Sequence, residues 1–390
     1  MNADSNFQRH VGAIVSELGD WLEACDYAGN DPYQLDHLIT SASQRPVIGP
    51  AVNALRQLLK PYHAFIPKRL FASSPAIVMA QVLGDVLSAE ACCPRSEISA
   101  RRAKRLFELI DRHRSPLVQS YGWGLPFSWG GADHYPPHWP TTITTAIVLN
   151  GLLDGIDLLD RERVIRLVSS GIQFMLEDCG YEETQAGPCL RYGPGDTRLI
   201  LNASVAGAVV LMRVGQLLGR SDYIDLASHA AECIIAHQNA DGSWYYAPAH
   251  KEHPVDSIID SRHTGYILEN LSRLNAIFCD PAIERALDAG WVYNTSKLMD
   301  GDKPRWSPAH TWPVDSHDVA QAIQTAIALG KRDIAETFLR CAVNAFYKGN
   351  GLFRYKLFED GRSNDAVFIR WMQAPMYKAM SLYLSQSRAA

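Results

Sequence analysis

The sequence predicts an all-α protein, a ring of about six helical hairpins with short aromatic loops converging at one rim. Three observations carry this. Apolar residues recur at intervals of three and four along most of the chain. The helical stretches come in consecutive pairs. Aromatic turns at Tyr192, Tyr245, Trp306 and Phe353 separate the pairs, roughly 45 to 60 residues apart, a period that suggests a repeated hairpin. The 390 residues hold no Gly/Ser-rich or Pro-rich linker, so one domain spanning 1–390 is expected, with residues 1–115 less regular than 116–390.

The elements follow in order. Phe7 to Cys25 places Val11, Ile14, Val15, Leu18 and Leu22 on one face. Ala51–Leu59, Ala76–Leu87 and Ala100–Ile110 follow, and then a long aperiodic stretch, Ser120–Pro140. Four pairs come next: Thr141–Leu159 with Arg161–Leu176, Ala203–Leu218 with Ser221–His237, Ser261–Phe278 with Pro281–Lys297, and Ser316–Leu329 with Ile334–Tyr347. Phe368–Leu384 closes the chain. Asp280-Pro281 puts proline at a first helical position. Ser221 and Ser316 can cap the helices they begin. Gly219, Gly330 and Gly349 sit where C-caps belong.

Composition excludes several classes. A net charge of −5 offers no basic stripe to neutralise phosphates, so a nucleic-acid partner is not expected. No run of 18 apolar residues is evident, and no membrane span is expected. Met1–Asp20 lacks the pattern of a secretory leader, which points to a cytoplasmic protein. The eight cysteines form no C-x-x-C pair and have no histidines at metal-ligand spacing, so no metal or other cofactor is expected. P-loop, G-x-G-x-x-G, G-x-S-x-G and H-E-x-x-H motifs are all missing.

Four clusters carry chemistry. Trp123 and Trp129 lie on a Gly-rich loop, where indoles can stack on sugar faces. The turn from Gln238 through Asp241, Trp244 and Tyr246 adds an acid and aromatic rings. Asp260, Arg262, His263 and Tyr266 gather an acid, a fixed cation, an imidazole and a phenol at one helix start. Trp312, Asp315, His317 and Asp318 repeat the pattern one hairpin later. An acid followed by a histidine at two helix starts on one rim suggests a carboxyl pair. Glycoside chemistry needs two carboxyl groups across the scissile bond, so Asp260 and Asp315 are the expected catalytic acids, with His263 and His317 beside them.

The ordered motifs Trp123–Trp129, Pro140–Ala146, Tyr192-Gly-Pro-Gly-Asp196 with Asn202, Gln238–Tyr246, Asp260–Leu268, Trp312–Gln321 and Phe368-Ile-Arg370-Trp371-Met-Gln373 resemble a six-hairpin glycosidase-like family. Its members are associated with bacterial capsule and exopolysaccharide production. More distantly, the chain is similar to unsaturated glucuronyl hydrolases and to the helical domain of glucuronyl C5-epimerases. The resemblance covers about residues 120–384. It implies an (α/α)6 toroid, an oligosaccharide or polysaccharide substrate, polysaccharide-assembly proteins as partners, and Asp196, Asn202, Arg370 and Trp371 as further substrate-binding residues. The Gln-x-x-Asp-Gly-Ser-Trp turn also resembles the repeat of squalene-type cyclases, but the D-x-D-D acid of those enzymes is missing.

The expected function is cleavage of a glycosidic bond by the carboxyl pair. A uronate C5-epimerase or lyase using His263 or Tyr266 as base and Arg262 as anion holder is the second expectation. A non-catalytic glycan-binding scaffold is the third.

Overall fold

The computed structural model describes residues 3–34, 75–130, 135–248 and 256–389. Among these, twelve helices set the architecture. They are α1 (Ala3–Ala24), α2 (Ala80–Cys92), α3 (Glu97–Arg112), α4 (Thr142–Asp154), α5 (Arg161–Gln173), α6 (Leu201–Leu218), α7 (Ser221–Ala236), α8 (Ser261–Phe278), α9 (Pro281–Lys297), α10 (Ser316–Ala328), α11 (Arg332–Cys341) and α12 (Ala374–Ala389). The expected helix at Ala51–Leu59 lies outside the described residues.

The even-numbered helices form an inner ring. Each packs on the next, α2 on α4, α4 on α6, α6 on α8, α8 on α10 and α10 on α12, and α12 closes onto α2. The odd-numbered helices lie outside, paired as α2 with α3, α4 with α5, α6 with α7, α8 with α9, α10 with α11 and α12 with α1. This is the (α/α)6 toroid. The amphipathic pattern explains the two layers: α6 and α10 are buried on nearly every face, while α3 and α11 carry one apolar stripe.

Close packing within the ring uses missing side chains. A Cβ on Gly151 would lie 2.4 Å from the Gly84 carbonyl oxygen, so glycine lets α2 and α4 approach backbone to backbone. Ion pairs tie the inner helices together, Asp85 to Lys378 at 3.0 Å across the α2–α12 closure and Asp154 to Arg213 at 2.8 Å between α4 and α6.

Several expectations change. Among the described residues one helix, α6, is long and apolar enough to cross a membrane by length and composition, and 78% of that span is buried as an inner helix of the ring. Arg220, not Ser221, precedes α7, and Asp315 rather than Ser316 caps α10 by accepting from the His317 N–H at 2.9 Å. Gly349 ends a short strand, Tyr347–Gly349, rather than a helix. The described residues of the N-terminal part supply α1, α2 and α3 to the ring. Three helix ends continue as π-helical turns, at Phe174–Cys179, Ala342–Phe346 and Ile369–Gln373, the last leading into α12.

Candidate active site

The N-terminal ends of the inner helices converge on a funnel of two adjoining chambers with shared walls. The narrow inner chamber, of 140 Å³, takes Gln81 from α2, Thr144 from α4, Asn202 from α6, Arg262, His263 and Tyr266 from α8, and His317 from α10, with Arg370 and Trp371 from the turn before α12. The wide outer chamber, of 680 Å³, shares Tyr33, Arg262, His263 and Trp371 with the inner one and adds Asp260, Asp318, Trp306, Tyr355 and Lys356. Helix N-termini present unpaired N–H groups and the positive end of the helix dipole, so this geometry gathers donors around one cavity.

At the start of α8, Asp260 does two jobs. One oxygen caps the helix by accepting from the His263 N–H at 2.8 Å, and the other accepts from His263 Nδ1 at 2.6 Å. Burial pushes this carboxyl upward, but the His263 imidazole and Arg262 outweigh that and hold it down at about 2. It is therefore a carboxylate throughout the neutral range. His263 is a third exposed, and with Nδ1 engaged its Nε2 is the nitrogen left for a ligand. The Tyr246 ring packs edge-on to it at 4.7 Å.

At the start of α10, two carboxylates three residues apart have opposite fates. Asp315 is fully buried. Its oxygens are taken by the His317 N–H and by Trp371 Nε1, 2.8 Å away, with Lys356 at 3.5 Å and Arg262 at 3.9 Å. Asp318 lines the outer chamber and accepts from Arg262 Nε and Nη2 at 2.7 and 2.6 Å. Burial and the neighbouring Asp315 and Asp260 raise it to about 7, against the pull of Arg262.

His317 is buried, and burial together with Arg262 and Arg370 holds it well below the usual imidazole range, so it is neutral. Its Nε2 lies 3.0 Å from the Tyr266 hydroxyl. Burial raises the Tyr266 phenol, which stays protonated and can hand a proton on. The remaining wall is cationic and aromatic. Arg370 is held by a bidentate pair with Asp31, at 2.5 and 2.9 Å, and Arg262 stacks over Trp371 at 4.4 Å. Among the described residues no group of three or more His, Cys, Asp or Glu side chains is arranged to hold a metal ion.

The structure brings together most of the sequence-derived candidates. Asp260, His263, His317, Arg262, Tyr266, Asp318, Arg370, Trp371, Trp129, Asn202 and Tyr246 all line the funnel. Six others do not, and each has a physical reason. Asp315 is fully buried against Trp371 and Lys356. Trp123 is fully buried and donates to the Ile110 carbonyl at 2.9 Å. Trp244 is wedged against Gly290 of α9 and donates to the Ile234 carbonyl at 3.0 Å. Asp241 closes its own turn by accepting from the Ser243 N–H and hydroxyl. Asp196 accepts from Tyr135 Oη at 2.7 Å and pairs with Arg198, bracing the aromatic wall from behind. Trp312 packs on the main core outside both chambers.

Sequence reasoning missed Asp31, Tyr33, Gln81, Tyr355 and Lys356 as site residues. Trp306 and Tyr192 were visible as aromatic turns, and both line the funnel. Asp133 and His134, which follow Trp129 on the aperiodic stretch Ser120–Pro140, lie outside the described residues.

No protein-family model matches the chain, and no curated protein matches it in sequence. Solved structures do match in shape. A family 76 α-mannanase of Bacteroides thetaiotaomicron aligns at 12% identity with a TM-score of 0.59, covering 81% of this chain and 88% of that one. A cellobiose 2-epimerase of Bacillus thermoamylovorans aligns at 9% identity and a TM-score of 0.61, covering 80% and 88%. An unsaturated glucuronyl hydrolase specific for heparin aligns at 11% identity and a TM-score of 0.57, covering 79% and 86%. The likeness is one of fold. The ring is the six-hairpin toroid of these enzymes, and at such identities their reactions do not transfer with it.

Proposed function

We propose that this chain is a carbohydrate-active enzyme that moves a proton at a carbon of a sugar, as an epimerase or isomerase does. The observation that carries this reading is the Asp260–His263 pair. A carboxylate held at about 2 grips Nδ1 of an imidazole whose Nε2 is left for a ligand in the funnel. Such a carboxylate fixes the tautomer and stabilises the imidazolium formed when the base takes a proton. A carbon-bound hydrogen is acidic only beside a carbonyl or carboxylate, so the reacting sugar is one that opens at its reducing end or carries a carboxyl group. The proton passes to His263, the charge develops on the neighbouring oxygen, and Arg262 and the Tyr266–His317 pair donate to that oxygen. Return of a proton to the same carbon on its other face gives an epimer; return to the next carbon gives an isomer.

The resemblance of the ordered motifs supports a place in polysaccharide biosynthesis or modification, in the cytoplasm and alongside assembly proteins, within a single toroidal domain. Glycosidic cleavage is the second reading, with Asp318 in place of the sealed Asp315. The favouring observation is that Asp318 and Asp260 both line the outer chamber with affinities for protons held far apart, at about 7 and about 2.

Incubation with reducing and uronic saccharides in heavy water separates the two. Proton transfer incorporates deuterium at a ring carbon without shortening the chain, and H263Q removes it by about 10²- to 10⁴-fold. Release of new reducing ends without deuterium, abolished by D318N, would replace the first reading with the second.

A further inference from the structure

We infer that the outer chamber is a second sugar subsite built on Trp306, so that the substrate is an uncharged saccharide of at least two units entering by one end. This rests on the reading of the inner chamber as the place of chemistry.

The shape argues for length. The inner chamber of 140 Å³ is small, and the outer one of 680 Å³ adjoins it, with Tyr33, Arg262, His263 and Trp371 as shared walls. A monosaccharide held among Arg262, His263 and His317 leaves the outer chamber empty. That chamber is not a bare vestibule. It displays Trp306, which is 43% exposed and, with Tyr181, one of two exposed aromatic rings among the described residues. An indole left open inside a concavity is the surface on which the apolar C–H face of a sugar ring stacks. The ammonium of Lys356 lies 5.0 Å from the Trp306 ring centre and 4.7 Å from that of Tyr355, which steadies the indole at the chamber wall.

The charge argues for a neutral ligand. Among the described residues, each fixed cation around the funnel already faces an acidic side chain: Arg262 faces Asp318 at 2.6 Å, Arg370 faces Asp31 at 2.5 Å and Lys356 faces Asp315 at 3.5 Å. Asp260 adds a fourth acid. Among the described residues, these four acids, with Asp318 only about half ionised at pH 7, still balance the three fixed cations, so a uronate finds no surplus positive charge there. Hydroxyls suit the site better, because they both donate and accept.

Calorimetric titration of the full chain at pH 7 with mannose, mannobiose, cellobiose and a uronic-acid disaccharide tests this. Wild type binds at least one neutral disaccharide more tightly than mannose and than the uronic disaccharide. W306A weakens that disaccharide about tenfold, about 1.4 kcal/mol, and leaves mannose within about twofold. W306F restores most of the loss. Equal weakening of mannose and disaccharide, no effect of W306A, tighter binding of the uronic disaccharide, or no disaccharide binding to wild type overturns the inference. Binding needs no turnover. Loss of the deuterium exchange with the Trp306 discrimination intact would therefore refute the proton-transfer reading and leave the second subsite standing.

Discussion

Replacing Asp260 by Asn tests the site at its most informative atom. The Asn carbonyl oxygen can still accept from the His263 N–H, so the cap of α8 is kept. What is lost is the charge facing His263 Nδ1 at 2.6 Å. The folded carboxyl sits at about 2 against an ordinary 3.8. The folded value is depressed, so the stabilisation is present above the ordinary value and is lost as pH falls through the folded one. The gap corresponds to about 2 kcal/mol at pH 6, falling to roughly half of that at pH 3. Chemical denaturation of wild type and D260N across that range should show the two converge as the medium is acidified. Deuterium exchange into sugar should fall by about 10²-fold or more in the same variant, because the imidazole loses both its fixed tautomer and its counter-charge. A stability difference that stays constant from pH 6 to pH 3, or a D260N enzyme with full exchange, would refute the pairing of Asp260 with His263 as the working base.

Two further substitutions separate structure from chemistry. Asp315→Ala leaves Trp371 Nε1 without its acceptor and Lys356 without its carboxylate in a buried setting, and should cost about 3–5 kcal/mol in urea unfolding; unchanged stability with lost exchange would restore Asp315 as a catalytic group. Trp123→Ala empties a fully buried site and should cost about 3–5 kcal/mol, with saccharide affinity of the folded protein unchanged. A selective loss of affinity there would return Trp123 to the binding surface.

Helix positions were legible because a buried inner helix and a striped outer helix write different apolar patterns. Ser261–Phe278 and Pro281–Lys297 match the observed bounds residue for residue. The site was legible only as far as local sequence carries information. Asp260 caps its helix three residues from the histidine it grips, and the motif shows both partners. Asp315 and Asp318 look alike in sequence, and their difference is set from afar. The indole that seals Asp315 lies 56 residues away along the chain, and so does the guanidinium, Arg262, that pairs with Asp318. Arg370 finds its partner Asp31 across 339 residues, a contact made only when the ring closes. Trp123 and Trp244 misled for the opposite reason. A tryptophan beside glycine suggests an open loop, yet the glycine can equally be the space another element needs, as Gly122 is for the Phe174 ring and Gly242 for the Ala289 carbonyl of α9.

Ring closure also explains why the useful residues crowd into first turns. Six inner helices run so that their starts meet at one end, and the first four N–H groups of each lack partners within the helix. Caps such as Asp260 and Asp315 answer that need, as Thr141 does for α4, while α2 and α6 start at Met79 and Ile200 with no side-chain cap, so an acid at such a position has a structural use whether or not it has a chemical one. Chemistry begins where a capping acid is made to serve a second group that faces the cavity. Asp260 does so through the His263 ring. Asp315 spends its second oxygen on a buried indole and its neighbouring cations, and so remains part of the frame.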